Sequence, residues 1–342
     1  MSPKQLATTF LILCSLLAVS ASGQTITGAI TGTVTDPSGA IVPNARVTAT
    51  NTATNLTYDT QTNEAGVYNL LFLPVGDYTL TVVAQGFKRA TLGPFKLEVN
   101  QTARVDVKLE VGDTTQTVEV RDIAPILQTE STQTGDTLTS QKLTSLPLKG
   151  RNFVAMTLLI PGAVSPNPEG TNSRFGARPY VNGNREQTNN FMLDGVDIND
   201  SIDNRVGYSP NVDALEEVKV LTGNMGADYG NAGGATVMLT MKSGTNQFRG
   251  NVFEFLRNEK LDANGFFRNR NINTAKRTGF KRNIFGGTLG GPIRRDKAFF
   301  FIDYEGTEQR ASGPASASVA PQARSEERRV GKECRSRWSP YH

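Results

Sequence analysis

Residues 191–200, FMLDGVDIND, and 213–246, DALEEVKVLTGNMGADYGNAGGATVMLTMKSGTN, decide the fold. Two alternating runs stand out within them, EVKVL at 217–221 and ATVMLTM at 235–241. Alternation of period two marks strands with one face turned inward. Between the runs lie Gly223, Gly226, Gly230, Gly233 and Gly234. Glycine at that density permits positive φ and close backbone approach, so the spacing predicts a tightly folded crossover rather than a loose spacer. The unit is too small to cover both faces of its strands, and a larger structure is expected around it.

The LDGVD run, the VKVLTGNMGADYG run, GGATV at 233–237 and KSGTN at 242–246 stand in an order and spacing that resemble the plug domain of TonB-dependent outer-membrane receptors, in their Oar-like branch. The resemblance implies a small mixed α/β domain seated in the lumen of a large β-barrel. It singles out Leu193, Asp194, Gly195, Val196, Asp197, Gly230, Gly233, Gly234, Lys242, Ser243 and Gly244 as plug-motif residues. Met238 and Met241 stand where the family usually carries Asn and Thr, a departure that touches local hydrogen bonds rather than the strand.

Both ends of the 342-residue chain distort its composition. Lys4, the apolar run from Leu6 to Val19 and the small residues Ser20 to Gly23 read as an export signal, residues 1–23, removed after Ala21 or Gly23. The apolar run is too short to span a bilayer as a helix. Leu13 before Cys14 argues against a lipoprotein anchor. At the other end, residues 324–342 (RSEERRVGKECRSRWSPYH) break with everything before them and resemble the translation of a sequencing-library adapter. The formal net charge of +4 disappears once the +3 of this tail and Lys4 are set aside, and with it any argument for nucleic acid. The tail also holds Trp338, His342 and Cys334, so the mature chain between the two ends has no Trp, His or Cys. Its domains must be held by buried cores rather than disulfides.

Residues 24–111 carry about seven short strands with turn signals between them, which predicts a β-sandwich. GTVTD at 32–36, ARV at 45–47, NEAGVY at 63–68, LPVGDY at 73–78 and Gly86-Phe87 resemble the carboxypeptidase regulatory-like domain, a transthyretin-like sandwich. In zinc carboxypeptidases that module is an appendage, and zinc hydrolysis needs His or Cys ligands that this chain does not offer. A carbohydrate-binding role would rest on the rings of Tyr58, Tyr68 and Tyr78, of which the latter two read as core residues.

Residues 112–145 read as a linker. Within it Thr117-Val118-Glu119-Val120 is a short extended run placed where the family carries its TonB box. Such a box works by strand addition, main-chain hydrogen bonds supplying the affinity. The same four residues read equally as the last strand of the sandwich. The plug is expected at 146–247, opening with Leu146 to Asn152 and a short buried helix over Phe153 to Ile160. Asp194, Asp197, Asn199 and Asp200 lack the Gly and Glu positions of a calcium-binding EF-hand loop and read as turn formers. Lys242-Ser243 ends a strand and does not open a helix, so the glycines are no phosphate cradle.

From 248 to 323 the texture is that of outer-membrane strands: 251–257, 280–290 and 298–305, with Ala298, Phe300, Ile302 and Tyr304 on one face. The long polar loop from Asn258 to Gly279 and the short turn from Gly291 to Lys297 match long external loops and short periplasmic turns. Plugged transporters use roughly 22 strands. The 77 residues from Gln247 to Ala323 supply three or four, so the chain reads as the N-terminal part of a longer protein.

The fold class expected is mainly β: sandwich, mixed plug, first barrel strands. The function the resemblance implies is energised uptake by a TonB-dependent receptor of the outer membrane, not an enzyme, with no catalytic residue, metal ligand or cofactor. Its implied partners are a TonB-type periplasmic energy-coupling protein, outer-membrane lipid and a small or oligomeric ligand. Carbohydrate stands first among the ligands by family analogy, with siderophore, cobalamin and peptide open. The alternative is a secreted carbohydrate-binding or adhesive sandwich protein.

Overall fold

Nine short strands form the first module: β1 (Gly28–Thr35), β2 (Arg46–Asn51), β3 (Thr57–Gln61), β4 (Val67–Leu73), β5 (Gly76–Val83), β6 (Arg89–Leu97), β7 (Thr102–Arg104), β8 (Val107–Lys108) and β9 (Thr117–Val120). The computed structural model describes residues 27–311 except 115, 121–129, 147–150, 166–178, 203, 227–228, 231–232, 264–265 and 271–278. The export segment, residues 166–178 and the tail over 324–342 therefore lie outside the described residues.

One sheet of the module runs β4-β1-β7, with β8 also on β1, and the other runs β3-β2-β5-β6-β9. Strict alternation puts Ile30 and Val34 of β1, Val47 and Ala49 of β2, and Tyr78, Leu80 and Val82 of β5 into one core between the sheets. Tyr68 is also buried, its hydroxyl donating to the Val105 carbonyl at 2.6 Å, while the Tyr78 hydroxyl donates to the Pro74 carbonyl at 2.8 Å. Each ring thus fills core volume and satisfies its one polar atom.

The second module contains β10 (Thr134–Thr139), α1 (Ser140–Ser145), β11 (Ala163–Val164), β12 (Tyr180–Val181), β13 (Asn190–Leu193), β14 (Val196–Asp197), β15 (Leu215–Gly223) and β16 (Thr236–Met241). Its main sheet has the order β10-β15-β16-β13-β14, and β11 pairs with β12 apart from it. Three expectations are corrected here. The strands flanking the Gly-rich connection pair directly and antiparallel, Val218 opposite Leu239 and Leu221 opposite Thr236, so the connection closes a hairpin and is not a crossover. The parallel pairing is instead between β13 and β16. Second, residues 134–145, read from sequence as linker, form β10 and α1 and join the plug sheet through β15. Only Leu138 and Leu143 of that segment are buried, which left it too polar to stand out as a strand and helix. Third, the helix expected over 153–160 is a 3₁₀ helix, Phe153–Leu159, started by Asn152, whose side chain accepts from the Val154 N–H at 2.9 Å. It still delivers Phe153, Val154 and Met156 to the plug core, where the Phe153 and Phe191 rings meet edge to face at 6.1 Å.

The third part is a sheet of β17 (Arg249–Asn258), β18 (Phe280–Arg294) and β19 (Ala298–Ala311), in that order. β18 and β19, at 15 and 14 residues, extend well past the stretches read from sequence and exceed the 9–11 residues that cross a bilayer. Val252, Leu256, Ile293, Ile302 and Tyr304 are all more than half exposed, as an outward apolar face facing lipid requires. Residues up to Val252, with Gly286–Glu305, pack as one unit, and Phe253–Phe285 with the described residues from Gly306 as another. In the second, α2 (Phe266–Arg270) follows β17, and Arg257 pairs with Asp262 at 3.0 Å while its guanidinium lies 4.9 Å over the Phe280 ring.

Candidate functional site

Two places in the chain carry the residues singled out by sequence: the outer edge of the sandwich and the turns around the plug sheet. Thr117, Val118, Glu119 and Val120 form β9, laid parallel on β6 with Thr117 opposite Arg89 and Val120 opposite Leu92. β9 is the outermost strand of its sheet, and it is largely exposed. The structure thus shows these four residues as the last strand of the sandwich, at the edge of its sheet. Parallel pairs are slightly weaker per residue than antiparallel ones, and a four-residue strand with no fully buried side chain is held lightly.

In the plug, the Leu193–Asp197 motif is a two-residue hairpin. Leu193 pairs with Val196, and Asp194 and Gly195 between them have φ of 47° and 84°. Positive φ at both central positions is the primed turn that an Asp-Gly pair favours. Asp194 also ties the hairpin to the neighbouring strand: its N–H donates to the Leu239 carbonyl at 2.9 Å, and its carboxylate accepts the Met241 N–H at 3.0 Å. Burial pushes the Asp194 carboxyl up, and the Met241 N–H partly offsets that. Asp197 accepts the Asn199 N–H at 2.7 Å, and Asn199 in turn bonds Asn190 and Asn204. These side chains organise turns, and the described residues contain no group of three or more His, Cys, Asp or Glu able to hold a metal ion.

The N–H groups of Gly233 and Gly234 both donate to the Thr188 carbonyl, at 2.9 and 3.0 Å. A Cβ on Gly234 would overlap the Asn189 side-chain oxygen, which accepts the Ala235 N–H at 2.9 Å. Gly230 lies in open space, so the structure gives no steric reason for a glycine there. Lys242 is anchored at both ends, its N–H on the Ala214 carbonyl and its ammonium on the Asp213 carbonyl, each at 2.8 Å. A Cβ on Gly244 would overlap the Phe300 carbonyl oxygen, so the chain can leave the plug past β18 and β19 only with glycine there. Ser243 has no described role beyond continuing that path.

A buried charge cluster escaped the sequence reading. Arg151 pairs with Asp213 and, at 3.4 Å, with Glu305 of β19, and Asp213 also accepts from Asn251 of β17 at 2.6 Å. The Arg151 and Asp213 side chains are 11% and 9% exposed, so the pair is withdrawn from water. Only the GRN run at 150–152 hinted at it, and nothing in the sequence linked positions 62 and 154 residues apart. The tyrosines considered as a sugar platform do not form one. Tyr68 and Tyr78 are buried, and Tyr58 packs against the Tyr78 ring at 6.4 Å.

Three family models match the chain in succession: a carboxypeptidase regulatory-like domain over 29–110, a TonB-dependent receptor plug domain over 127–237, and an outer membrane beta barrel domain over 240–332. The TonB-dependent transporter Oar of Myxococcus xanthus is 29% identical over 288 residues, a match that takes in 80% of this chain and 26% of that relative's length. The chain thus spans about a quarter of that relative. Among solved structures, the siderophore receptor PirA from Acinetobacter baumannii is 20% identical, with a TM-score of 0.40, over 54% of this chain and 26% of that one. The ferric enterobactin receptor PfeA from Pseudomonas aeruginosa is 15% identical, with a TM-score of 0.34, over 49% of this chain and 24% of that one.

Proposed function

This chain belongs to the TonB-dependent receptor family, outer-membrane β-barrel transporters that are not enzymes, and from that premise we propose that it supplies the gate and the pull-point for energised uptake of an external ligand. In the intact receptor the plug closes the barrel lumen, ligand arriving from outside meets the plug and the outer loops, and a periplasmic TonB-type protein pulls on the segment that precedes the plug. Thr117–Val120 is that segment in this reading. The observation that carries it is that β9 is the outermost strand of its sheet, exposed, and next in the chain to the plug. Such an edge takes a partner strand through main-chain bonds without needing particular side chains.

The process consists of binding and movement, so no bond-making group is required of the chain. The tightly hydrogen-bonded Asp194-Gly195 hairpin and the Arg151–Asp213–Glu305 cluster hold the plug until it is pulled. In cells that depend on the intact receptor for growth on its nutrient, deletion of 117–120 is expected to abolish that growth while the receptor still reaches the outer membrane at normal level. Growth at the unaltered rate would remove the assignment of this segment.

A further inference from the structure

Two of the charged side chains of β15, Glu217 and Lys219, are buried. Val218 and Val220 enter the plug core, while Glu217 and Lys219, on the opposite face, are 0% and 3% exposed. What covers them is the sandwich. The turn that follows β6, residues 98–101, lies over β15. The Val99 N–H donates to the Glu217 carboxylate, and the Lys219 ammonium donates to the Val99 and Asn100 carbonyls at 2.8 and 3.2 Å. Lys96 of β6 stands 3.6 Å from Glu217, and Asn100 donates to Gln133 at 2.8 Å. A second sandwich turn reaches the end of the plug. The Ala53 carbonyl accepts the Asn246 N–H at 3.0 Å, and Asn55 and Asn246 both donate to Asp296 in the β18–β19 turn, at 2.9 and 2.8 Å.

We infer that the sandwich is a clasp on the plug: its 98–101 turn engages β15 through Glu217 and Lys219, its 53–55 turn engages Asn246 and Asp296, and release of the first turn frees the plug sheet. This goes beyond the proposed coupling role of β9 and does not depend on it. The latch is built to open. One oxygen of the buried Glu217 carboxylate has no hydrogen-bond partner, and both charges are withdrawn from water, so much of the attraction is offset by desolvation. Beside it a cavity of about 320 Å³, lined by Glu98, Gln133, Asp136, Lys142 and Lys219, leaves the lysine head room to move. β6 carries β9 on its outer edge and the latch at its end, so displacing one disturbs the strand that supports the other.

Hydrogen exchange on the full chain tests this, with segments 96–102 and 53–57 reporting the two turns and β5 and β16 reporting that both modules are folded. Lys219→Met should speed exchange at 96–102 roughly tenfold or more, because two carbonyls lose a charged donor, with β5 and β16 unchanged. Unchanged exchange at 96–102 would overturn the clasp. Should Lys219→Met fail to fold, Glu217→Gln, which keeps the acceptor for Val99, decides through pH. Burial raises the Glu217 carboxyl against the Val99 N–H and the pull of Lys96, with Glu98 and Glu216 adding to the rise, and burial lowers the Lys219 ammonium. A raised carboxyl favours docking below its folded value, and that contribution is lost as pH rises through it. Protection of 96–102, corrected for intrinsic exchange, should therefore fall as pH rises above the ordinary carboxylate range in the natural chain, and Glu217→Gln should lack that fall. The same slope in both chains would also overturn the proposal.

Discussion

Gly32→Ala is expected to destabilise the sandwich strongly. A Cβ at this position would overlap the Val105 carbonyl oxygen and stand 2.9 Å from the Tyr68 ring. The carbonyl is backbone and also accepts the buried Tyr68 hydroxyl, so it cannot move without breaking that bond. Gly32 lies in the middle of β1, which bears β4 on one side and β7 and β8 on the other, and any shift spreads to all three. Overpacking of this kind costs about 3 kcal/mol, the upper end of its usual range, because a main-chain atom cannot rotate aside. Urea unfolding followed by far-ultraviolet circular dichroism should show a lowered midpoint or a sandwich that never folds. Gly39→Ala serves as the steric control: nothing lies near its Cβ, and only its positive φ should cost, about 1 kcal/mol.

Arg151→Met should weaken the plug by an amount of similar size, for an electrostatic reason. Asp213 keeps its charge in a buried place but loses its guanidinium, and Glu305 loses it too. Removing one member of a buried pair typically costs about 3–5 kcal/mol, reduced here because Glu305 is a quarter exposed and Asn251 still donates to Asp213. The double variant Arg151→Met/Asp213→Asn should recover a substantial part, since the uncompensated carboxylate is gone. Exchange protection of β15 and β16 reads both. Equal loss in the single and double variants would mean that Arg151 acts through packing and not charge.

Much of this was legible in the sequence, for reasons that differ between segments. The sandwich announced itself because half-buried strands alternate, as β1 does without exception from Gly28 to Thr35. Asp194 was legible as a turn former, and an Asp-Gly pair accepts two positive φ values, but that the turn closes a hairpin came only with the structure. The order β10-β15-β16-β13-β14 was not legible, because β16 reads the same whether its antiparallel neighbour is the preceding strand or a more distant one. Periodicity names the faces of a strand but not what covers them, which is why nothing in the alternation of 217–221 marked Glu217 and Lys219 as buried. Their burial depends on a turn more than a hundred residues earlier. The Arg151 cluster was hidden by the same distance in sequence. Gly244 was picked out as part of a motif, and its cause, the Phe300 carbonyl, came only with the structure.

The measurement that bears most directly on the account is site-specific photo-cross-linking from β9. With a photoreactive residue at Val118 of the intact receptor in living cells, an adduct with the periplasmic TonB-type protein is expected, and Glu119→Pro, which removes a main-chain donor from the strand, should abolish it. An adduct that survives the proline, or label at Val118 that is captured only by the chain's own sandwich while a label elsewhere before the plug captures the coupling protein, would contradict the claim that β9 is where the pull is applied.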